Sequence, residues 1–385
     1  MLSSFEIQGF RTFAKMRIET FGHVNLIVGR NNTGKSSLLE ALRLFAGEGH
    51  QGILKDILQR RDEIVLDSDS SEQSVQLAAL FHGRLLNPSI GPMIQLGPVG
   101  NSAEVLRIRP VFLQMAKSED DLFPSRWEEI AGTGSVDVND PKIQTGLSIE
   151  RNGAARLMPV EYFSARRAGP RNRDLGPTCV WSTGVDSNEA ALWWDMIALT
   201  DVEERVIESL NLFAPVDRIT LVKHPSGLNR RLFMVRLKGE RSPAPLKSFG
   251  DGMSRMFHIA LALEHSRRPR GVAQMSLFTA NPGDTPSSTP AWPVLLIDEA
   301  ENGIHYTLHT QIWRFIFRVA ALHGVQIFAT SHSWDCVLGF QVAASEAQNT
   351  AGVLVRIEQK AGISRAITFE ENELEIVTRD CIEVR

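Results

Sequence analysis

Cysteine is scarce in this chain of 385 residues, which contains only Cys179, Cys336 and Cys381. The three residues are far apart and have none of the short spacings that are typical of zinc ligands. Secreted proteins that depend on disulfides carry many more cysteines over a short length. The sequence therefore argues against a disulfide framework and a structural zinc, and it favours a reducing cytoplasm.

Long apolar runs are also missing. No segment approaches the roughly 18 apolar residues that a membrane-spanning helix needs. Residues 1–22 resemble a pair of strands rather than a signal peptide. Sustained heptads and internal repeats are absent too, which argues against a long coiled-coil arm. The sequence predicts a soluble, cytoplasmic protein with no membrane partner.

Neither sign of charge dominates, because 41 Lys and Arg face 45 Asp and Glu, for a net charge of -4. Any surface for nucleic acid must therefore be local. One local concentration exists: Arg166, Arg167, Arg171 and Arg173 stand within eight residues. Two interpretations stay open for it, namely a solvated or internally paired loop, and a contact with a phosphate backbone or an acidic partner.

A glycine-rich loop stands between a predicted strand at residues 23–28 and a predicted helix that ends near Gly47. The loop fits G-x-x-x-x-G-K-[ST] at every fixed position. In such a loop, backbone N–H groups surround a β-phosphate, the lysine reaches the β- and γ-phosphates, and the serine hydroxyl binds Mg²⁺. The predicted nucleotide-binding residues here are Gly29, Asn31, Asn32, Thr33, Gly34, Lys35, Ser36 and Ser37.

A second element follows much later, where the apolar strand 294–297 ends in Asp298 and Glu299. We expect Asp298 to bind Mg²⁺ together with Ser36, and Glu299 to accept a proton from the attacking water or to orient it. His332 comes just after another apolar strand, so it can reach a γ-phosphate. The alternative for His332 is an ordinary polar residue at the end of a strand.

A third element, Ser248-Phe249-Gly250-Asp251-Gly252, precedes a predicted helix. A serine, two glycines and a helix N-terminus together offer a hydroxyl and free N–H groups to an anion. Taken alone, the same residues suit an ordinary turn and helix cap.

In this order the motifs resemble the ABC-ATPase superfamily, and within it the RecF/SMC-like and OLD-like branch. The resemblance implies a stand-alone AAA-family ATPase that is similar to phage-defence ATPase subunits. Residues 29–36 match Walker A, and residues 294–299 match Walker B. Ser248, Gly250 and Gly252 match a degenerate signature motif, which in this superfamily contacts nucleotide in trans. Residues 301–305 match the D-loop region, and His332 matches the switch histidine.

The resemblance extends to three shorter features. Arg11, in GFRTF, resembles the arginine that opens this branch and reaches back to bound nucleotide. Residues 160–173 resemble the tyrosine-and-arginine segment of stand-alone OLD-like and phage-defence ATPases, and the final IEVR resembles their usual ending. Together the anchors span nearly the whole chain.

Two features depart from the family pattern. The signature reads SFGDG instead of LSGGQ, and no Q-loop glutamine can be assigned, because Gln114 follows a strand without a recognisable frame. The separation of Ser36 and Ser248 along the sequence is also much longer than the compact spacing of these motifs in a transporter subunit. This spacing disfavours a transporter's nucleotide-binding subunit.

The resemblance implies a mixed α/β fold, namely a P-loop ABC-type ATPase head with an antiparallel β subdomain and a short helical lobe. We assign residues 1–180 and 290–385 to the ATP-binding core lobe, with a strand-rich insert at about 72–163. Residues 181–289 form the predicted helical or signature lobe. A proline-rich stretch at about 265–293 is predicted to be an exposed loop.

The function implied is an ATPase that uses ATP and Mg²⁺ and forms a homodimer, or a higher oligomer, around ATP. It would act as a switch or motor for a nucleic-acid-related or anti-phage effector. No nuclease site is evident, and the chain ends at Arg385, where an OLD-like nuclease would continue into a TOPRIM domain. A separate TOPRIM-type nuclease is therefore the expected effector. The alternatives are a RecF-like DNA repair ATPase and a non-hydrolysing, ATP-stabilised scaffold.

Overall fold

The computed structural model describes residues 1–66, 73–116, 126–130, 140, 142–163, 176–224, 231–266, 292–360 and 362–379. Arg166, Arg167, Arg171 and Arg173, most of the proline-rich stretch and the final IEVR lie outside these residues. None of the helices within the described ranges is both long and apolar enough to span a membrane.

The strands fall into four sheets. The strands are β1 (Phe5–Phe10), β2 (Phe13–Ile18), β3 (Val24–Val28), β4 (Ile64–Leu66), β5 (Gln73–Val75), β6 (Ile94–Gly97), β7 (Leu106–Ala116), β8 (Arg126–Glu129), β9 (Ile143–Arg151), β10 (Ala154–Pro159), β11 (Thr178–Val180), β12 (Val216–Lys223), β13 (Arg231–Leu237), β14 (Ala244–Pro245), β15 (Val294–Ile297), β16 (Gln326–Thr330), β17 (Gly352–Lys360) and β18 (Ile363–Phe369). The α-helices are α1 (Lys35–Ala46), α2 (Gln51–Gln59), α3 (Ser187–Asp195), α4 (Asp201–Leu210), α5 (Asp251–Ser266), α6 (His309–His323), α7 (Trp334–Glu346) and α8 (Glu371–Arg379).

The central sheet has the order β11-β15-β16-β3-β17-β18. Its first five strands are parallel, and β18 pairs antiparallel with β17. Every residue of β3, β15 and β16 is buried, as expected for parallel strands that are covered on both faces. These strands therefore read in the sequence as continuous apolar runs.

A second sheet is antiparallel, with the order β10-β9-β7-β6-β1-β2 and with β8 paired to β7. Strand β1 alternates between buried and partly exposed side chains over most of its length, which is the pattern of a sheet with one covered face. This sheet combines the predicted N-terminal hairpin with most strands of the predicted insert at 72–163. Strand β5 pairs with β4 in a separate sheet, and residues 77–80 and 82–84 form 3-10 helices where a strand was expected. The mixed α/β fold with an antiparallel β subdomain is confirmed.

Two buried apolar clusters lie on opposite sides of the central sheet. Along β3, Leu26 belongs to one cluster and Ile27 to the other, because successive strand residues point to opposite faces. The first cluster includes side chains of α5, α6 and α7, and the second includes side chains of α1, α2 and the antiparallel sheet. The site loops are therefore mounted on a sheet that is fixed from both faces.

The segment after β11 contains α3, α4, the sheet β12-β13-β14 and α5. Helix α3 is capped by Asp186, whose carboxylate accepts hydrogen bonds from the backbone N–H groups of Asn188 and Glu189. Its buried residues share the first apolar cluster with β3 and α6. The assignment of residues 181–289 to a separate lobe stays a prediction.

Candidate nucleotide site

Three of the predicted motifs follow neighbouring parallel strands. Strand β16 lies between β3 and β15 and is parallel to both. The carboxyl ends of the three strands therefore meet at one edge of the sheet. The glycine loop leaves β3, Asp298 and Glu299 leave β15, and His332 follows β16. This edge is where ligands bind in open α/β sheets.

The glycine loop needs its two fixed glycines for steric reasons. Gly29 has φ 149° and Gly34 has φ 101°, both outside the range of ordinary side chains. A Cβ atom on Gly29 would lie 2.4 Å from the carbonyl oxygen of Ile357, and one on Gly34 would lie 2.6 Å from Cζ of Phe13. The loop is thus pressed against β17 on one side and the N-terminal hairpin on the other.

Lys35 is the first residue of α1, and its ammonium group points back to the loop. Nζ donates to the carbonyl oxygens of Gly29 at 2.6 Å and Arg30 at 3.0 Å. Burial lowers the pKa of Lys35, while the carboxylates of Glu301, Asp298 and Glu299 oppose this shift. The ammonium is therefore held at the mouth of the loop, within the field of the acidic residues after β15.

Asp298 connects the glycine loop to β16. Its Oδ1 accepts a hydrogen bond from the hydroxyl of Thr330 at 2.8 Å and one from the hydroxyl of Ser36 at 3.4 Å. A carboxylate and a serine hydroxyl side by side are hard oxygen ligands of the kind that Mg²⁺ prefers beside substrate phosphates. The donor set therefore fits magnesium. Thr330 was not predicted from the sequence.

Glu299 has a left-handed backbone with φ 52°, which is uncommon for a residue with a side chain. Its N–H donates to the hydroxyl of Thr330 at 2.8 Å, and its carbonyl oxygen accepts from Arg255 at 2.9 Å. The backbone is thus held from both sides. The backbone therefore no longer follows the strand at Glu299, two residues after β15 ends.

Arg255 is a site residue that sequence reasoning missed. It lies on α5, is 4% exposed, and donates to the backbone carbonyl oxygens of Trp181, Asp298 and Glu299. Burial lowers its pKa to about 10, and the carboxylates of Asp298, Glu301 and Glu299 work against that shift. Helix α5 follows the turn that contains Ser248, Gly250 and Gly252, here called the signature turn. Through Arg255 this helix contacts the backbone of Asp298 and Glu299 directly. A lone arginine in an apolar helical stretch is the one sequence signal for it.

His332 is paired with Glu301, which the sequence analysis assigned only to the D-loop region. Oε1 of Glu301 accepts from the backbone N–H of His332 at 2.7 Å, and it lies 3.0 Å from Nδ1 of the same histidine. The Glu301 side chain is 8% exposed and that of His332 is 57% exposed. The imidazole is thus anchored at one nitrogen and open to solvent beyond it.

The remaining loop residues differ in their surroundings. Asn31 and Asn32 are exposed, and Asn32 has φ 63°. The hydroxyl of Thr33 donates to the carbonyl oxygen of Arg30 at 2.9 Å, which closes the loop. Ser37 lies in the first turn of α1 and is buried. Their contacts with nucleotide stay predictions.

The turn before α5 presents Ser248 and Gly250 to solvent. Gly250 has φ 93°, and α5 begins at the next residue. Gly252, in contrast, is buried, and a Cβ atom there would lie 2.7 Å from the carbonyl oxygen of Gly303. Gly252 is therefore needed for packing against the segment after β15, while Ser248 and Gly250 face outward.

Arg11 lies in the turn between β1 and β2, and its side chain is 5% exposed. Its Nε donates to Glu40 at 2.8 Å, and Nη1 donates to Glu63 at 2.8 Å and to the carbonyl oxygen of Ala79 at 3.2 Å. These contacts connect the hairpin to α1 and to the end of α2. The predicted contact of Arg11 with nucleotide stays a prediction.

The fold and site define a P-loop protein of the AAA type. Residues 24–336 match the family model described as "AAA domain, putative AbiEii toxin, Type IV TA system". The chain belongs to this family, because the match spans well over half of it. The AAA part of the predicted resemblance is confirmed, while the narrower likeness to OLD-like proteins stays a prediction.

Two curated relatives are similar to parts of the chain. An "ATP/GTP phosphatase" of Helicobacter pylori is 22% identical over 356 residues, which cover 88% of this chain and 86% of the relative. The "Uncharacterized protein MJECL10" of Methanocaldococcus jannaschii is 43% identical over 63 residues, which cover 15% of this chain and 29% of that protein.

Solved structures with a similar arrangement include SMC heads. The "SmcHead bound to the C-winged helix domain of ScpA" aligns with a TM-score of 0.47 and 12% identity, over 96% of this chain and 98% of the other. The "SMC head domain from Thermotoga maritima" aligns with a TM-score of 0.43 and 14% identity, over 96% and 99%.

Proposed function

We propose that this protein binds ATP with Mg²⁺ and hydrolyses it. One observation carries the proposal: Ser36, Thr330 and Asp298 share a hydrogen-bonded cluster from three adjacent strands, beside the ammonium of Lys35. This is the arrangement that a magnesium–triphosphate complex requires. The family match and the relative named an ATP/GTP phosphatase support the same class of reaction.

The residues divide the work of hydrolysis among them. Loop N–H groups and Lys35 bind the β- and γ-phosphates, and Ser36 with Asp298 holds Mg²⁺. The metal, when bound, neutralises charge on the phosphate oxygens. Glu299 orients the attacking water or accepts its proton, and His332 contacts the γ-phosphate. Glu299 is one residue beyond Asp298, at the same edge of the central sheet.

We further propose that two copies enclose ATP, each giving its signature turn to the other's glycine loop. Ser248 and Gly250 are exposed in front of α5, a helix of 16 residues. Its first turn therefore offers a hydroxyl and free N–H groups to an anion outside the chain. Arg255, on the same helix, would connect this contact to the backbone of Glu299.

Association of the Glu299→Gln variant tests both halves of the proposal. This change keeps ATP bound while turnover falls by at least about 100-fold, because the water loses its base. Sedimentation should then show a dimer that forms with ATP and not with ADP. Ser248→Arg should abolish that dimer through steric and charge conflict, while Ser242→Arg, an exposed control six positions earlier, should not.

Three results would contradict parts of the proposal. Equal ATPase rates for Glu299→Gln and the wild type would remove Glu299 from catalysis. Sedimentation that is independent of ATP in every variant would remove the nucleotide-dependent dimer. ATP binding without measurable turnover in the wild type would favour the non-hydrolysing scaffold instead.

We also propose that the ATPase acts in the cytoplasm as a switch for a separate effector, such as a TOPRIM-type nuclease. The family description names a toxin of a toxin–antitoxin system, which supports a defence-related role. Co-purification with the product of the neighbouring gene, with and without ATP, tests this step. Recovery of the effector that is independent of nucleotide would contradict a switch.

A further inference from the structure

Glu301 and His332 form a pair that the roles assigned above do not use. One oxygen of Glu301, Oε1, contacts both the backbone N–H and Nδ1 of His332, at 2.7 and 3.0 Å. The other oxygen, Oε2, is buried and has no hydrogen-bond partner among the described residues. Among the described residues, the side-chain contacts of this carboxylate are therefore with His332.

The chemistry of this contact decides which nitrogen of the imidazole carries a proton. A carboxylate oxygen only accepts, so Nδ1 of His332 must donate to it. In a neutral imidazole the other nitrogen, Nε2, then has a lone pair and no proton. A γ-phosphate oxygen is itself an acceptor, so it gains a hydrogen bond from Nε2 only when the ring is doubly protonated.

We propose that Glu301 is a positioning residue that holds His332 as an imidazolium when ATP is bound, so that Nε2–H donates to the γ-phosphate. This inference rests on the proposed ATP site. The carboxylate balances the ring's positive charge on one side and the phosphate balances it on the other. His332 then distinguishes ATP from ADP by charge as well as by a hydrogen bond.

The burial of Glu301 supports a role beyond packing. A buried carboxylate with an unpartnered oxygen is costly unless nearby cations compensate it. Lys35 and Arg255 both lie in its field. A glutamine would satisfy the backbone N–H of His332 equally well, and it would carry no charge. The contact with the backbone N–H of His332 therefore does not require a carboxylate. A positive charge on the ring of His332, in contrast, does.

Binding of two nucleotides tests the proposal. Glu301→Gln should weaken binding of the non-hydrolysable β,γ-imido analogue of ATP by about tenfold, which corresponds to roughly 1.4 kcal/mol. ADP affinity should change by less than about twofold, since ADP lacks the γ-phosphate. His332→Ala should give the same selective loss. The double variant should be no weaker than either single one, because both changes remove one interaction.

A spectroscopic measurement separates charge from geometry. In protein with ¹⁵N-labelled histidine, the His332 signals, assigned by their absence in His332→Ala, should show both ring nitrogens protonated with the imido analogue bound. In Glu301→Gln one nitrogen should lose its proton. Glu346→Gln, a change at an exposed ion pair with Arg314, is the matched control and should leave the spectrum unchanged.

The outcomes separate two kinds of failure. If the wild type binds neither nucleotide, the proposed ATP site is wrong. If it binds both, but Glu301→Gln weakens them equally or its effect adds fully to that of His332→Ala, Glu301 has only a structural role. A neutral His332 ring in the wild-type complex would also overturn the inference. Should Glu301→Gln fail to fold, Glu301→Asp replaces it, since it keeps the charge but withdraws it from Nδ1.

Discussion

The glycine loop and the signature turn both consist of glycines before a helix, yet they are held very differently. Gly29 and Gly34 are pressed against β17 and the N-terminal hairpin, and Lys35 and Ser36 already have partners within the chain. Ser248 and Gly250, in contrast, are exposed, and a Cβ atom on Gly250 would meet nothing within 4 Å.

This difference indicates what each region can do alone. The edge of the central sheet is preorganised for the proposed phosphate site, because its polar groups are already held by contacts within the chain. The signature turn has a fixed base, at Gly252, and an open tip. The exposed residues of this turn, Ser248 and Gly250, are therefore available to contact a group outside the chain. Substitutions in the two regions should therefore separate binding of nucleotide from association of copies.

The largest effect is expected in the glycine loop. Lys35→Ala should weaken ATP binding by at least about 100-fold, because it removes the cation that faces the β- and γ-phosphates. Isothermal titration measures this directly. Lys360→Ala, at a lysine that is 85% exposed, is the control and should bind ATP normally. Undiminished binding by Lys35→Ala would show that the loop is not the phosphate site.

The next effect concerns the connection between the two regions. Arg255→Met should lower the free energy of unfolding by roughly 3 kcal/mol, because the carbonyl oxygens of Trp181, Asp298 and Glu299 lose their donor in a buried place. Thermal unfolding measures it. Arg314→Met, at an exposed ion pair, should leave the melting temperature unchanged. Equal melting curves for all three proteins would mean that the buried connection is dispensable.

The body of α5 supplies a pH-dependent effect of smaller size. Burial lowers the pKa of His258 to about 4, and the positive charges of Arg255 and Lys247 add to the shift. The folded state therefore disfavours the imidazolium, so stability is complete above about pH 6.5 and is lost as the pH falls toward 4. The free energy of unfolding of the wild type should decrease between pH 7 and pH 4.5, and His258→Gln should make this decrease smaller by about 2 kcal/mol. Chemical unfolding at the two pH values measures the difference.

His305→Gln is the matched control, because His305 is exposed. It should reproduce the pH profile of the wild type. If His258→Gln does so as well, the ring of His258 is solvated in the folded protein, and α5 is less tightly packed than its buried face indicates.

The smallest effect is expected at the open tip. Ser248→Arg should change the affinity of the monomer for ATP by less than about twofold, because Ser248 belongs to the exposed turn and the loop is complete without it. The affinity of the monomer for ATP is measured at a protein concentration that is too low for association. A loss comparable to that of Lys35→Ala would mean that the signature turn contacts nucleotide within its own chain.

Local patterns predicted the parts of the site that depend on neighbours in sequence. The strand, loop and helix around Lys35 and the acidic end of β15 are visible because each is encoded within about a dozen residues. The contacts of Arg255, Thr330 and Glu301 were missed, because their partners lie 31 to 74 positions away. Spacing alone does not reveal which strands become adjacent in the sheet.

Arg11 illustrates the same limit from the other side. The motif GFRTF marks the turn between β1 and β2. This turn lies against the glycine loop, because a Cβ atom on Gly34 would clash with Phe13. The partners of the arginine itself, Glu40 and Glu63, lie 29 and 52 positions later. A local motif can therefore mark a place in the fold without specifying the contacts made there.

The position of β3 has a consequence for how the protein is made. Among the strands that the structure describes, β3 pairs with β16 and β17, so both of its neighbours come from late in the chain. A ribosome that adds roughly 5–20 residues per second needs about 15–60 s to synthesise the intervening part. For that time Val24–Val28, wholly buried in the finished sheet, has no sheet partner. We expect the nascent chain to need chaperone protection of this segment, and slower synthesis to prolong its exposure.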